Sequence, residues 1–199
     1  MHHKRLFPVL FCIILFTLLS TACKLNKLHC GAFSYTSAGE ATDGNYVELN
    51  DGSKIVGKDV GWNLGVLSNN QVKVDNQKFK ISEVYGVMRK GVYHIRKGTA
   101  LLERFIHGKI NVYYYQQSTT TMNSSNRSET SQHCSHYAQI GDRGELVGLA
   151  AQGDIKKVVS DCPLAVSMAD KSGSQIRKEL RNNRKYLNDI FLTYNRGCK

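Results

Sequence analysis

The sequence lacks the short motifs that identify most catalytic and cofactor-binding sites. It contains no GxSxG nucleophile elbow, no GxxxxGKS/T phosphate loop and no GxGxxG fingerprint, although it has 17 glycines. No CxxC pair occurs among its six cysteines, so their spacing matches no zinc site. Nothing in the sequence therefore argues for a known enzyme class, and we predict a non-enzymatic protein without a cofactor.

The sequence also lacks an apolar run long enough to cross a membrane. The longest run, residues 6–19, has 14 residues, whereas a spanning helix needs about 20. Lys4 and Arg5 precede it, and the small residues Ser, Thr and Ala follow at positions 20–22. A basic start, an apolar middle and a small-residue end are typical of a secretory signal, so we predict a signal peptide over residues 1–22.

The cysteine directly after this leader indicates that the segment is also a lipidation signal. Small residues followed by Cys23 resemble the lipobox of bacterial lipoproteins, and Ser20, where Leu is usual, resembles the looser lipobox of Bacteroidota. The resemblance implies that Cys23 is acylated, for example with palmitate, and that several acyl chains hold the protein at a lipid bilayer. Two alternatives stay open: a soluble protein cut after Ala22, or an uncleaved membrane anchor.

Other features extend the resemblance along the chain. The hairpin segment LNDGSKIVGK, the β-rich middle and the helix ending in YN resemble exported Bacteroidota lipoproteins of unknown function. The resemblance implies a non-cytoplasmic location in the bacterial cell envelope, with the outer membrane as the expected site. It implies no activity.

The charge balance is strongly basic. The chain has 27 Lys and Arg against 16 Asp and Glu; losing Lys4 and Arg5 with the leader leaves 25 against 16, or +9. Such a charge favours anionic partners. The expected partners are the bilayer, reached through acylated Cys23, and an anionic envelope polymer or a protein. Nucleic acid is not expected, because the protein is exported and carries no nucleic-acid-binding motif.

Four cysteines remain after Cys12 leaves with the leader and Cys23 is acylated: Cys30, Cys134, Cys162 and Cys198. An even number in an exported chain permits two disulfides, with three possible pairings. Cys162 with Cys198 is the favoured pair, since the two bracket a helical hairpin and closing that loop contributes about 4 kcal/mol. Four unpaired thiols are the alternative.

Residues 23–44 mix small and polar types without a period and predict a flexible tether. Residues 45–149 predict a β-rich domain, because β-prone segments flank a series of turn sequences. Within it, residues 118–132 hold nine Ser or Thr and predict an exposed, mobile loop. The turn sequences are Asn50-Asp51-Gly52, Asp75-Asn76, Arg89-Lys90-Gly91, His107-Gly108 and residues 141–144.

Residues 150–199 change to helical spacing. A first helix is predicted around Ile155 and Val158, a break or new start at Pro163, and a last helix over residues 174–195. The expected fold is therefore α+β: an antiparallel hairpin meander, as an open sheet or small barrel, followed by C-terminal helices that pack on it.

The densest group of candidate ligands is His133, Cys134 and His136. Imidazole and thiolate suit zinc or copper, but in a strand residues 133 and 136 point to opposite faces, so metal binding needs a turn and further ligands such as His94 or His107. The alternative is that these histidines are satisfied by contacts within the fold or face solvent. A metal-binding or redox-sensitive envelope protein is thus the second hypothesis.

Three consecutive tyrosines offer a different kind of site. Tyr113 and Tyr115 are expected on one face of a strand and Tyr114 on the other; with Tyr93 and Trp62 they form either an aromatic platform for sugars or peptides, or ordinary core. The isolated carboxylates Glu83, Glu103 and Glu145 leave a third hypothesis, an unrecognised envelope hydrolase. The first hypothesis is a membrane-tethered binding or structural protein.

Overall fold

The computed structural model describes residues 44–65, 68–122, 128–183 and 185–198. It has the predicted α+β fold: an open antiparallel sheet of eight strands, a second sheet of three strands, and helices in the C-terminal segment. Within these ranges, no helix combines the length and apolar character needed to cross a bilayer. Cys23, the proposed lipidation site, lies outside the described residues.

The strands follow one another along the chain with short turns between most of them. The eight-stranded sheet has the order β11-β10-β9-β8-β7-β6-β1-β2, and the smaller sheet has the order β3-β4-β5. The strands are β1 (Asn45–Leu49), β2 (Lys54–Gly57), β3 (Val60–Asn63), β4 (Gln71–Val74), β5 (Gln77–Lys80), β6 (Val84–Arg89), β7 (Val92–Lys97), β8 (Ala100–Ile106), β9 (Ile110–Met122), β10 (Ser128–Ile140) and β11 (Leu146–Gly148).

Each predicted turn sequence connects two paired strands. The β6–β7 turn shows why: Lys90 and Gly91 have φ of 53° and 76°, and two successive positive φ angles are what a tight two-residue hairpin turn requires. The β1–β2 turn places Gly52 at φ 91°. Strand β3, which has four residues and contains the single tryptophan, was not predicted from the sequence.

The predicted mobile loop over residues 118–132 is wrong in part. Residues 118–122 continue β9 and residues 128–132 continue β10, with an unbroken register from Ile110↔Ile140 to Met122↔Ser128. The side chains of residues 118–122 are exposed, as predicted. The Thr residues in these parts of β9 and β10 favour extended backbone. The pairing of the same two strands nearer the core fixes their register.

Four helices follow the sheet: α1 (Gln152–Val158), α2 (Pro163–Ala169), α3 (Gly173–Asn182) and α4 (Tyr186–Asn195). The Asp154 carboxylate accepts hydrogen bonds from the amides of Ala150 and Ala151, which caps the start of α1. Pro163 is the first residue of α2, where its missing N–H costs nothing.

The predicted single helix over residues 174–195 is instead the two helices α3 and α4. Asn183 between them is extended, with φ −140° and ψ 98°. Its side-chain oxygen accepts from the amide of Lys185, and its amide donates to Asp189 of α4. Asparagine competes with helical backbone bonds in this way, so it ends α3 and starts α4.

The two faces of the eight-stranded sheet differ in what covers them. On the helix face, the helices pack over Phe105, Ile110, Val112 and Ala138, and Leu187 and Phe191 of α4 are fully buried there. Beside the helices, the three-stranded sheet packs on residues such as Val47 and Val87 of the same face. Cys162 and Cys198, whose Cα atoms are 5.6 Å apart, form a disulfide that ties the start of α2 to the end of α4.

The opposite face, here called the tyrosine face, has a separate cluster of side chains. Met88, Ile95 and Leu102 are buried in this cluster, among six tyrosines of the sheet strands. These tyrosines are Tyr46, Tyr85, Tyr93, Tyr113, Tyr115 and Tyr137.

Candidate functional site

A cleft of about 900 Å³ opens on the tyrosine face. Side chains from β1, β2, β6, β7 and β8 meet there with residues of three turns. Its lining combines aromatic, acidic and basic groups: Tyr46, Glu48, Asp51, Gly52, Lys54, Met88, Tyr93, Arg104, His107, Asp142 and Arg143. A concave site with convergent polar groups on an aromatic surface is the usual form of a ligand-binding site.

The curl of the sheet brings distant parts of the chain to this cleft. Arg143, in the β10–β11 turn, forms an ion pair with Glu48 of β1 at 2.5 Å, and the two residues are 95 positions apart. The same guanidinium donates to the carbonyl of Asn50 at 3.2 Å. The sheet is therefore open at its edges but bridged by side chains across its tyrosine face.

Two strand irregularities lie beside cleft residues. The register of β1 against β6 shifts between Glu48 and Leu49, and that of β8 against β9 shifts between Arg104 and Ile106. Such bulges bend a strand, increase its twist and re-aim its side chains. Glu48 and Arg104 lie directly before these shifts and keep the alternation of their strands, so they point to the tyrosine face, as Tyr46 and Leu102 do.

A buried hydrogen-bond network holds the β10–β11 turn in position. The Tyr113 hydroxyl donates to the side-chain oxygen of Gln139 at 2.8 Å. The Gln139 amide donates to the Tyr85 hydroxyl and to the carbonyl of Gly144, and the Tyr85 hydroxyl donates to the carbonyl of Asp142. Because each side chain of this network has hydrogen-bond partners, the β10–β11 turn, which carries the cleft residues Asp142 and Arg143, is held in one position.

Glu48 is at the centre of the second network. Its side chain is 14% exposed; one oxygen accepts from Arg143 and the other accepts from the Tyr93 hydroxyl at 2.9 Å. Burial and the neighbouring Glu48 charge raise the pKa of Tyr93, so its phenol stays protonated and donates. Both oxygens of the carboxylate are thus fixed by neighbouring side chains.

Four cations on the tyrosine face lie over tyrosine rings, and three of them belong to the cleft. This arrangement holds long charged side chains against the aromatic surface and keeps their donors near the cleft. The pairs are Lys54 on Tyr46 (4.6 Å), Arg104 on Tyr93 (4.4 Å), Arg143 on Tyr85 (4.4 Å) and Lys97 on Tyr137 (5.1 Å).

The fixed charges of the cleft balance. Three carboxylates line it, and so do three Lys or Arg side chains. Hydrogen bonds from the Ser53 hydroxyl and amide lower the pKa of Asp51, so it stays ionised. His107 Nε2 lies 4.0 Å from an Asp142 oxygen. The cleft consequently offers hydrogen-bond donors and acceptors together, without a strong field of either sign.

The predicted metal-ligand group does not form a site on the described residues. Cys134 is disulfide-bonded, and since Cys162 and Cys198 bond to each other, its partner lies outside those residues. His136 is 3% exposed on the helix face, with its ring 6.2 Å from that of Phe105. The side chain of His133 is outside the described set.

Burial also makes His136 a poor ligand for exchangeable metal. It lowers the pKa of His136 to about 4, so the ring is neutral but enclosed. His94, the suggested additional ligand, packs against Trp62 with ring centroids 4.9 Å apart. Among residues whose placement is described, no three His, Cys, Asp or Glu side chains are grouped closely enough to hold a metal ion.

The tyrosine prediction matches the geometry for the three consecutive residues. Tyr113 and Tyr115 lie in the tyrosine-face cluster, whereas Tyr114 packs on the helix side and donates to Glu103 at 2.9 Å. Trp62 belongs to the cluster beneath the three-stranded sheet, not to this group. None of the isolated carboxylates singled out from the sequence lines the cleft.

The cleft residues that were not singled out from the sequence are Tyr46, Glu48, Lys54, Met88, Arg104, Asp142 and Arg143. The alternation of β1, which places Tyr46 and Glu48 on one face, was the one available signal. Comparison of the chain with protein-family models, with curated proteins and with solved structures gives no match.

Proposed function

We propose that this chain is a membrane-tethered, non-enzymatic binding protein of the bacterial cell envelope, and that its cleft binds a neutral glycan. The observation that carries the proposal is the cleft itself: aromatic rings, balanced charges and preorganised walls on one face of the sheet. The proposed cellular location is based on the leader and Cys23, and the proposed ligand class is based on the chemistry of the cleft.

The cysteines support export. Cys134, Cys162 and Cys198 are all disulfide-bonded, and structural disulfides persist in oxidising compartments such as the bacterial periplasm or cell surface. If Cys23 carries lipid and Cys12 leaves with the leader, then Cys30 is the partner of Cys134. Disulfide mapping of the purified protein tests this pairing; a Cys23–Cys134 bond would contradict acylation of Cys23.

The tether is tested by cell fractionation. Cys23→Ala moves the protein from the membrane fraction to the soluble fraction, because the acyl chains are lost. Cys12→Ala is the matched control, since it removes a leader cysteine without touching the lipobox residue, and it leaves the protein in the membrane fraction. A Cys23→Ala protein that stays with the membrane would rule out lipidation as the anchor.

The cleft favours a neutral glycan for chemical reasons. A sugar hydroxyl both donates and accepts hydrogen bonds, and the cleft offers carboxylates that only accept beside guanidinium and ammonium groups that only donate. The apolar faces of sugar rings match the tyrosine surface. A polyanion is disfavoured here, because three carboxylates face the same space.

The binding test uses defined neutral hexasaccharides, such as gluco-, manno- and xylo-hexaose, titrated by calorimetry. Lys54→Ala weakens binding about tenfold, because one charged hydrogen-bond donor of the cleft is lost. Lys97→Ala is the matched control: Lys97 also lies over a tyrosine of the same face but does not line the cleft. Equal effects of the two changes, or no binding by the unmodified protein, would contradict the proposal.

The hydrolase alternative has one observation in its favour, the three carboxylates and His107 in a single cleft. Against it, both oxygens of Glu48 accept protein hydrogen bonds, and the lowered pKa of Asp51 makes it a poor proton donor. Release of reducing ends from the same hexasaccharides distinguishes the two functions. A binding protein releases no reducing ends above the rate measured without protein.

A further inference from the structure

Helix α3 differs from the other helices because none of its residues is buried. α4, of the same length, has six buried residues. Ile176 and Leu180 of α3 pack, partly buried, against the helix-side core. The remaining surface of α3 faces solvent and is strongly basic.

The cations of α3 are concentrated on one side. At 100° per residue, Arg177, Arg181 and Lys178 fall within an arc of about 100°, beside the stripe formed by Ile176 and Leu180. All three basic side chains are exposed. The apolar stripe packs inward, so the outward surface of α3 presents charged groups.

The sequence around α3 reinforces this charge. Residues 171–185 contain six Lys or Arg and one acidic residue, Glu179, which gives +5 of the chain's +11. Lys171 is paired with Glu179 at 2.6 Å. Among the residues that the structure describes, Arg177, Lys178 and Arg181 form no ion pair with a carboxylate. Their charge is available to a partner outside the domain.

We propose that α3 is a membrane-surface helix whose cations rest on the anionic headgroups of a phospholipid bilayer. A group of exposed cations along a helix, which does not line the cleft, fits an extended charged surface better than a small ligand. Because the apolar stripe faces inward, binding is electrostatic and does not involve insertion. It therefore weakens strongly with salt. A protein held near a membrane would be oriented by such a contact.

Contact between α3 and a bilayer requires neither acylation of Cys23 nor a ligand in the cleft. The test uses the full chain with Cys23→Ala in every variant, so that no acyl chain contributes. The probes are vesicles of phosphatidylcholine alone and vesicles with about one third phosphatidylglycerol, a fraction chosen to give an anionic surface. Binding is measured by co-sedimentation at low and high salt.

The key variant replaces Arg177, Lys178 and Arg181 with Gln, which keeps helix propensity. Binding to anionic vesicles falls about 100-fold, at about fivefold per cation. The control replaces the exposed Lys58, Lys73 and Lys78 at the three-stranded sheet with Gln. It changes net charge equally and leaves binding within about threefold, the scatter expected for a charge effect without contact. Circular dichroism melts verify that both variants fold.

Three results would overturn the proposal. Equal losses in the two variants would mean that only net charge matters. Equal binding to neutral and anionic vesicles would remove the charge recognition. A soluble acidic polysaccharide that binds as tightly as the vesicles, with the same loss in the α3 variant, would identify an acidic polymer as the partner instead of lipid.

Discussion

The two faces of the eight-stranded sheet are made by the same strands but are stabilised by different interactions. The helix face buries aliphatic and aromatic side chains under helices, as Leu187 and Phe191 show at 0% exposure. The tyrosine face instead sets phenol rings against cations and fixes its polar groups with hydrogen bonds across the sheet. The first face buries the larger set of apolar side chains, and the second leaves charged and hydrogen-bonding groups around a cleft.

The largest effect is expected on the helix face. Leu187→Asp places an unpaired charge in a fully buried position and lowers the free energy of unfolding by about 4 kcal/mol or more. Leu164→Asp is the control, since Leu164 of α2 is 44% exposed, and it changes stability by about 0.5 kcal/mol or less. Chemical denaturation measures both. Similar values for the two variants would mean that α4 is peripheral to the core.

A middle-sized effect is expected from the pH dependence of the helix face. Because burial lowers the pKa of His136 to about 4, the unfolded chain binds the proton more readily than the folded one between about pH 6.5 and 4. The stability that the neutral ring contributes is present above pH 6.5 and is lost as pH falls toward 4. Over this pH range, we expect the free energy of unfolding to fall by about 1–3 kcal/mol more in the unmodified protein than in His136→Leu.

Denaturant titrations of both proteins at pH 7 and pH 4.5 measure that difference. Other groups titrate equally in the two proteins, so they cancel in the comparison. A pH dependence of His136→Leu identical to that of the unmodified protein would show that His136 is accessible to protons in the folded state.

The smallest effect compares one phenol–carboxylate bond on each face. Tyr93→Phe removes the hydrogen bond to the mostly buried Glu48 and costs about 1 kcal/mol. Tyr194→Phe removes the 2.9 Å bond to the exposed Asp161 on the helix side and costs less, about 0.5 kcal/mol. Thermal melts of both variants measure the difference. The reverse order would mean that the tyrosine-face network contributes no stability.

Local signals predicted much of the fold. Asp-Gly and Lys-Gly sequences accept the positive φ angles that tight hairpin turns require, so these hairpins could be predicted directly from the residues. The hydrophobic spacing of α1 and the proline at the start of α2 are also local signals, and they were enough to predict these two helices. The break at Asn183 was missed because the helical spacing of apolar residues continues through it. The hydrogen bonds of the Asn183 side chain, which end α3, become visible only in the structure.

The cleft was beyond prediction for a different reason. It depends on a sheet curl that brings Arg143 to Glu48 across 95 residues of chain, and on bulges beside Glu48 and Arg104. Curvature accumulates over many strands, so no single sequence window contains it. The consecutive tyrosines predicted which residues share a face, but not which cations and carboxylates meet them there.

The most direct test of the binding proposal observes the tyrosines of the two faces in one experiment. Ring signals of tyrosine-labelled protein are followed by NMR during titration with the neutral hexasaccharides. The account predicts that signals of Tyr46 and Tyr93, which line the cleft, shift with saturation, while those of Tyr186 and Tyr194 on the helix face stay unchanged. Shifts confined to the helix-face tyrosines, or no shift in any ring, would contradict it.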